Sequence, residues 1–113
     1  MQEQSESKAH SKQLAVVKQL VMEGNYHYSR KVRDYIEDSC FQFEDLEKCI
    51  CTATNIHKVE DDDLKEAQDG KKYTVLGRDS HGEPFYTCGK IILGEKGRLY
   101  FFITAHEAGK IGG

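Results

Sequence analysis

The chain has 113 residues, 38% hydrophobic and 31% charged, with a net charge of −3. That length serves one domain with one core and leaves little room for a deep pocket beside a second module. No apolar run spans a bilayer, and the opening Met1 to Ser7 stretch is polar and acidic rather than basic then greasy, so we expect no membrane anchor or secretory leader and a cytoplasmic location. The charge is segregated: residues 1–33 sum to +3, residues 34–69 to −9 and residues 70–113 to +3. If the two basic ends meet in space, they make a local surface that attracts a phosphate backbone on an otherwise acidic protein.

In chain order, residues 1–10 read as a flexible tail. Leu14, Val17, Leu20 and Val21 share a helical face between a capping Ser11 and a stopping Gly24, which predicts a helix over Ser11 to Glu23. After a loop at Asn25 to Tyr28, Ser29 caps a second helix to Asp38, with Val32, Tyr35 and Ile36 inward and Arg30, Lys31 and Arg33 toward solvent. Phe43, Leu46 and Ile50 mark a third helix, Phe43 to Thr52, with Glu44 and Asp45 in its first turn, where the helix dipole favours acids. Asn55 to Glu60 reads as a strand that opens a sheet. The Asp61-Asp62-Asp63 run and the residues to Asp69 read as a solvated loop, because three adjacent aspartates do not converge on one metal.

The last third carries the strongest signal. Tyr73 to Gly77, Phe85 to Leu93 and Leu99 to Thr104 are rich in β-branched and aromatic residues, separated by the turn formers Ser80-His81-Gly82-Glu83-Pro84 and Gly94-Glu95-Lys96-Gly97. This predicts an antiparallel meander and an α+β class, with N-terminal helices packed on one face of a twisted antiparallel sheet. Leu46, Ile50, Val75, Ile91 and Ile103 are expected to share the core. In the last strand Tyr100, Phe102 and Thr104 point opposite to Leu99, Phe101 and Ile103, so both faces are partly aromatic. The first helix, a partner chain, or bases stacking on Tyr86 and Tyr100 are the candidates to cover the second face, the helix ranking first. Residues 11–108 form the domain and residues 109–113 a tail. Cys49 and Cys51 lack the two-residue gap of a zinc knuckle and Cys88 falls inside a strand, so Cys40, Cys49, Cys51 and Cys88 read as reduced, mostly buried thiols. No metal or cofactor is predicted.

The stretch YHYSRKVRDYIEDSCFQFEDLEKCI, followed by KYTVLGRDSHGEPFYTCGKI and FFITAHEA, resembles a small bacterial family catalogued as domain of unknown function 4258, over Tyr26 to Ala108. That family is similar to the RelE, ParE and BrnT toxins. The resemblance implies their compact RelE-like, barnase-like ribonuclease architecture and a place in a toxin–antitoxin pair, beside an antitoxin of the kind that carries a zinc-finger module. Where much of the family places a histidine after the serine that opens the helix, this chain has Lys31, with His27 one turn earlier, and Ser39 stands where an arginine is usual. Either His27 replaces the imidazole, or Lys31 serves as a cation, or the chain does not cleave.

Metal-independent RNA cleavage needs a base for the 2′-hydroxyl, a cation for charge growing on phosphoryl oxygens, and an acid for the departing 5′-oxygen. His106 or His27 is expected to move protons and Lys31 and Arg78 to clamp phosphate, with Arg30, Arg33, Tyr86, Lys90 and Thr104 binding or positioning RNA. His81 reads as a solvated turn residue, and His10 and His57 as far from the grouping. Three classes follow: an endoribonuclease toxin acting on messenger RNA, free or on the ribosome; a non-catalytic protein- or nucleic-acid-binding domain of the same fold; and, last, a modifier whose tail is Gly112-Gly113.

Overall fold

A computed structural model describes residues 2–108, with side chains from residue 11 onward. The Lys8 and His10 side chains, Lys110 and the Gly112-Gly113 pair lie outside the described residues. The elements are α1 (Gln2–Met22), β1 (Tyr26–Tyr28), α2 (Arg30–Glu37), α3 (Phe43–Thr52), β2 (Ile56–Asp61), β3 (Lys71–Arg78), β4 (Pro84–Gly94) and β5 (Gly97–Glu107). The class is α+β, with three helices and a five-stranded sheet ordered β1-β5-β4-β3-β2 among the described residues. Strands β2 to β5 are antiparallel as expected. The sheet as a whole is mixed, because β1 adds to β5 in parallel, with Tyr26 opposite Tyr100 and Tyr28 opposite Phe102.

Local chemistry explains the helix ends. Gly24, at φ 79°, donates to the Val21 carbonyl while Asn25 donates to that of Leu20, the paired bonds by which a left-handed residue closes a helix. At the other end α1 begins at Gln2, so Ser11 lies inside the helix and does not cap it. Ser29 does cap: its Oγ accepts from Val32 N–H at 3.2 Å and donates to the Ile103 carbonyl at 2.8 Å. One hydroxyl therefore starts α2 and pins it to β5. Helix α3 starts where Gln42 N–H donates to the Asp45 carboxylate at 2.8 Å.

One core lies between the helices and a single face of the sheet. Leu14, Val17, Leu20 and Val21 from α1, Val32 from α2 and Leu46, Cys49 and Ile50 from α3 pack with Tyr73, Val75, Phe85, Ile91, Tyr100 and Phe102. Helix α3 approaches β3 closely enough that a Cβ on Gly77 would sit 2.0 Å from the Cys49 carbonyl oxygen, so only glycine fits there. The Cys49 thiol donates to the Phe85 carbonyl at 3.2 Å, and burial pushes its pKa up to about 11.

Several expectations are corrected here. Ile103 is half-buried and outside the core; it is the extra residue of a bulge in β5, where the register slips so that Cys88 faces Thr104 and Gly89 faces Phe102. The core face of β5 therefore carries Tyr100, Phe102 and Ala105. Tyr100 is fully buried and offers no ring to a base. Helix α1 packs into that same core, so it does not cover the second face. The acidic loop is not wholly solvated. Asp62 is buried, accepting from Glu66 and Ala67 N–H at 2.8 Å each, and Cys40 and Cys51 are exposed where buried thiols were expected.

Candidate functional site

The face of the sheet away from the helices is covered at Lys90 by the 62–70 loop and open beyond it, toward Cys88 and Tyr86. Side chains alternate along strands, so Lys58, Thr74, Cys88 and Thr104, each opposite the next by register, form one row across it. The neighbouring row runs Leu76, Tyr86, His106. Above these rows lies a shallow groove of about 300 Å³, lined among others by His57, Lys58, Tyr86, Cys88, Thr104 and His106.

His106 and Tyr86 meet edge to face, with ring centroids 4.7 Å apart. This contact fixes the imidazole's direction on a rigid strand pair. Burial first, and then the Lys31 ammonium on α2, holds the His106 pKa below the usual imidazole range. The imidazole is accordingly neutral at pH 7 and able to accept a proton. Lys31 is itself exposed and reaches this neighbourhood because the Ser29 hydroxyl moors the start of α2 against β5. Burial raises the Cys88 pKa, with Lys72, Glu60 and Lys58 charged nearby, so the thiol is protonated and not a nucleophile.

Of the residues expected at the site, Tyr86, Thr104 and His106 come together, with Lys31 close by. The others do not join them. His27 pairs with Phe101, five residues from His106 along β5, and borders a separate cavity of about 580 Å³ at the β4–β5 turn. Arg78 sits at the β3–β4 turn, where its guanidinium donates to the Gly82 carbonyl at 2.9 Å. Arg30 and Arg33 project from the exposed side of α2.

Lys90 is a correction. Its side chain is 2% exposed, and its ammonium lies 2.7 Å from Glu66 Oε1 and 3.2 Å from Asp62 Oδ1. Those carboxylates outweigh burial and raise its pKa, so it is a buried structural cation that closes the 62–70 loop onto the sheet and is not offered to RNA. His57, expected to lie far from the grouping, is a second correction. His57 lines the same groove as His106 although 49 positions separate them in the chain. Only the slip in β2 pairing between Ile56 and Lys58 gives it away, and a bulge leaves no signature in hydrophobic alternation.

Among the described residues no group of three or more His, Cys, Asp or Glu side chains is arranged to hold a metal ion, and no helix is long and apolar enough to cross a membrane. No family model, no curated protein and no solved structure matches the chain.

Proposed function

We propose that this chain is the toxin component of a bacterial type II toxin–antitoxin pair, a metal-independent endoribonuclease of RelE-like architecture acting on messenger RNA. The reading rests first on one observation: an oriented imidazole at His106, held toward its neutral form, beside the Tyr86 and Thr104 side chains in one groove, with the Lys31 ammonium close enough for its charge to act on it. These are the groups that transfer of a ribose 2′-proton and neutralisation of phosphoryl charge call for. The motif resemblance over Tyr26 to Ala108 supplies the biological setting, including a cognate antitoxin of the kind with a zinc-finger module. Shallowness of the groove suits a polymer laid across a face better than a small molecule enclosed on all sides.

The same face also suits a binding domain without catalysis, a reading favoured by the loss of Arg78 and Lys90 to structural bonds. Induced expression in a bacterial host separates the two. We expect growth arrest and messenger-RNA decay with the wild type, a loss of roughly 10²- to 10⁴-fold in cleavage for His106→Ala, and a smaller loss for Lys31→Ala. His27→Ala should cleave like the wild type. A folded wild type that neither arrests growth nor cleaves RNA, with or without ribosomes, leaves the binding domain as the account.

A further inference from the structure

We propose that His57 is the second proton-transfer group of this groove, standing across it from His106 and supplying the proton taken up by the leaving oxygen of a cleaved ribose-phosphate chain. The inference rests on the endoribonuclease reading above and deepens it. His57 and His106 border one groove whose floor is the Thr74, Cys88 and Thr104 row. The bulge supplies the reason. Ile56 faces Val75 and Lys58 faces Thr74, so His57 is the extra residue with no partner on β3, and a bulge of this kind re-aims a side chain that regular pleating would direct elsewhere.

Spacing agrees with the assignment. Two strands separate β2 from β5, and three strand spacings amount to about 14 Å between backbones. The two imidazoles therefore rise from strands on opposite sides of the groove, far enough apart for a ribose-phosphate chain to lie between them. Lys58 stands next to His57, ion-paired at 3.6 Å with Glu60, whose carboxylate also lines the groove, and Lys31 stands near His106, while the Thr74, Cys88 and Thr104 floor between them is uncharged.

The chemistry balances without a co-reactant. The 2′-oxygen forms its bond to phosphorus as its proton passes to the neutral His106 imidazole. The bond between phosphorus and the 5′-oxygen breaks, its electron pair stays on that oxygen, and the proton comes from the His57 imidazolium. A 2′,3′-cyclic phosphate and a free 5′-hydroxyl result, and exchange with solvent restores both imidazoles. Burial and the Lys31 charge favour the neutral form of His106, which fits it for the base role; the acid role falls to the other imidazole that lines the groove, His57.

The test compares the full chain with His57→Gln and His106→Gln on two oligoribonucleotides, one natural and one with sulfur in place of the 5′-bridging oxygen at the scissile bond. A thiolate leaves without an acid. We expect His57→Gln to lose about 10²- to 10⁴-fold on the natural bond and less than about tenfold on the sulfur bond, and His106→Gln to lose heavily on both. Circular dichroism checks that the variants fold, which the exposed position of His57 favours. Wild-type cleavage of the natural bond by His57→Gln, or equal losses on both substrates, overturns the assignment. A second measurement keeps the two readings apart: uridine 3′-monophosphate should perturb the imidazole resonances of both His57 and His106. Perturbation of His106 alone removes His57 and leaves the ribonuclease reading standing, whereas no perturbation together with no cleavage removes both.

Discussion

The Asp45 carboxylate ties the start of α3 to the β3–β4 turn. It is 5% exposed and accepts from Gln42 N–H at 2.8 Å, Ser80 N–H at 2.9 Å and Ser80 Oγ–H at 2.6 Å. Burial acts to raise its pKa, but the donors from Gln42 and Ser80, with His81 nearby, outweigh it and hold the carboxyl below its ordinary range. A depressed folded pKa means the unfolded chain binds the proton more tightly, so the stabilisation is present above the unfolded value near ~3.9 and is lost as pH falls through the folded value. Asp45→Asn should therefore destabilise at pH 7 by roughly 1.5 to 3 kcal/mol, the scale of hydrogen bonds to a charged group. Urea unfolding from pH 7 down to pH 3 should show the gap to wild type steady near neutrality and closing below about pH 4. A gap that persists unchanged at pH 3 would assign the effect to shape and not to charge.

At the scale of elements, caps and bulges decide which side chains meet. The bulge at Ile103 reverses which residues of β5 face the helices beyond it, bringing Phe102 and Ala105 inside and Thr104 and His106 to the open face. Phe102 touches Tyr26 and Tyr100 edge to face at centroid distances of 5.4 and 5.0 Å. Phe102→Ala should cost about 3 to 5 kcal/mol by leaving a cavity among these rings. Ile103→Ala should cost clearly less, since its side chain is only half-buried. Thermal unfolding of the two variants checks this, and equal losses would count against the bulge as drawn. Strand β1 belongs to the same scale: three residues have no strand signal of their own, and β5 supplies it through Tyr100 N–H donating to the Asn25 carbonyl and Ser29 N–H donating to that of Phe102.

Across the whole molecule, the basic ends partly converge. Helix α2 carries Arg30, Lys31 and Arg33 against the outer side of β5, while Lys58 and Lys72 stand on the open face beside the groove. Many of the acids lie elsewhere or are already engaged, Asp61 with Lys71 at 2.6 Å and Asp62 with Lys90. If RNA crosses this face, its affinity should fall steeply with salt, and each phosphate contact removed from a single strand should lower the slope of log affinity against log salt by about 0.7. Arg30→Glu and Arg33→Glu should reduce both affinity and slope with the fold intact, measured by fluorescence anisotropy on a labelled oligoribonucleotide. Arg78→Glu should change them less, because that guanidinium is engaged in its turn. No affinity at low salt for folded protein removes nucleic acid from the account.

The elements that carry their own local signals were legible in the amino-acid order. Helix α2 from Ser29, α3 from Phe43, the edge strand at residues 56–61 and the three-stranded meander all follow from capping residues, periodicity and turn formers, which act within a few positions of the chain. At the site, the sequence supplied His106, Tyr86, Thr104 and Lys31 as chemically able groups, and the fold brings them together. What it did not supply were the contacts that depend on a partner distant along the chain. Lys90 and Asp62 neutralise each other only because the 62–70 loop folds back over β4, β1 exists only beside β5, and His57 reaches the groove only through a one-residue slip against β3. Register and burial are properties of paired segments, and a shift of one residue exchanges the two faces of a strand. The sequence determined which groups were available for chemistry, and tertiary pairing decided which of them share a surface.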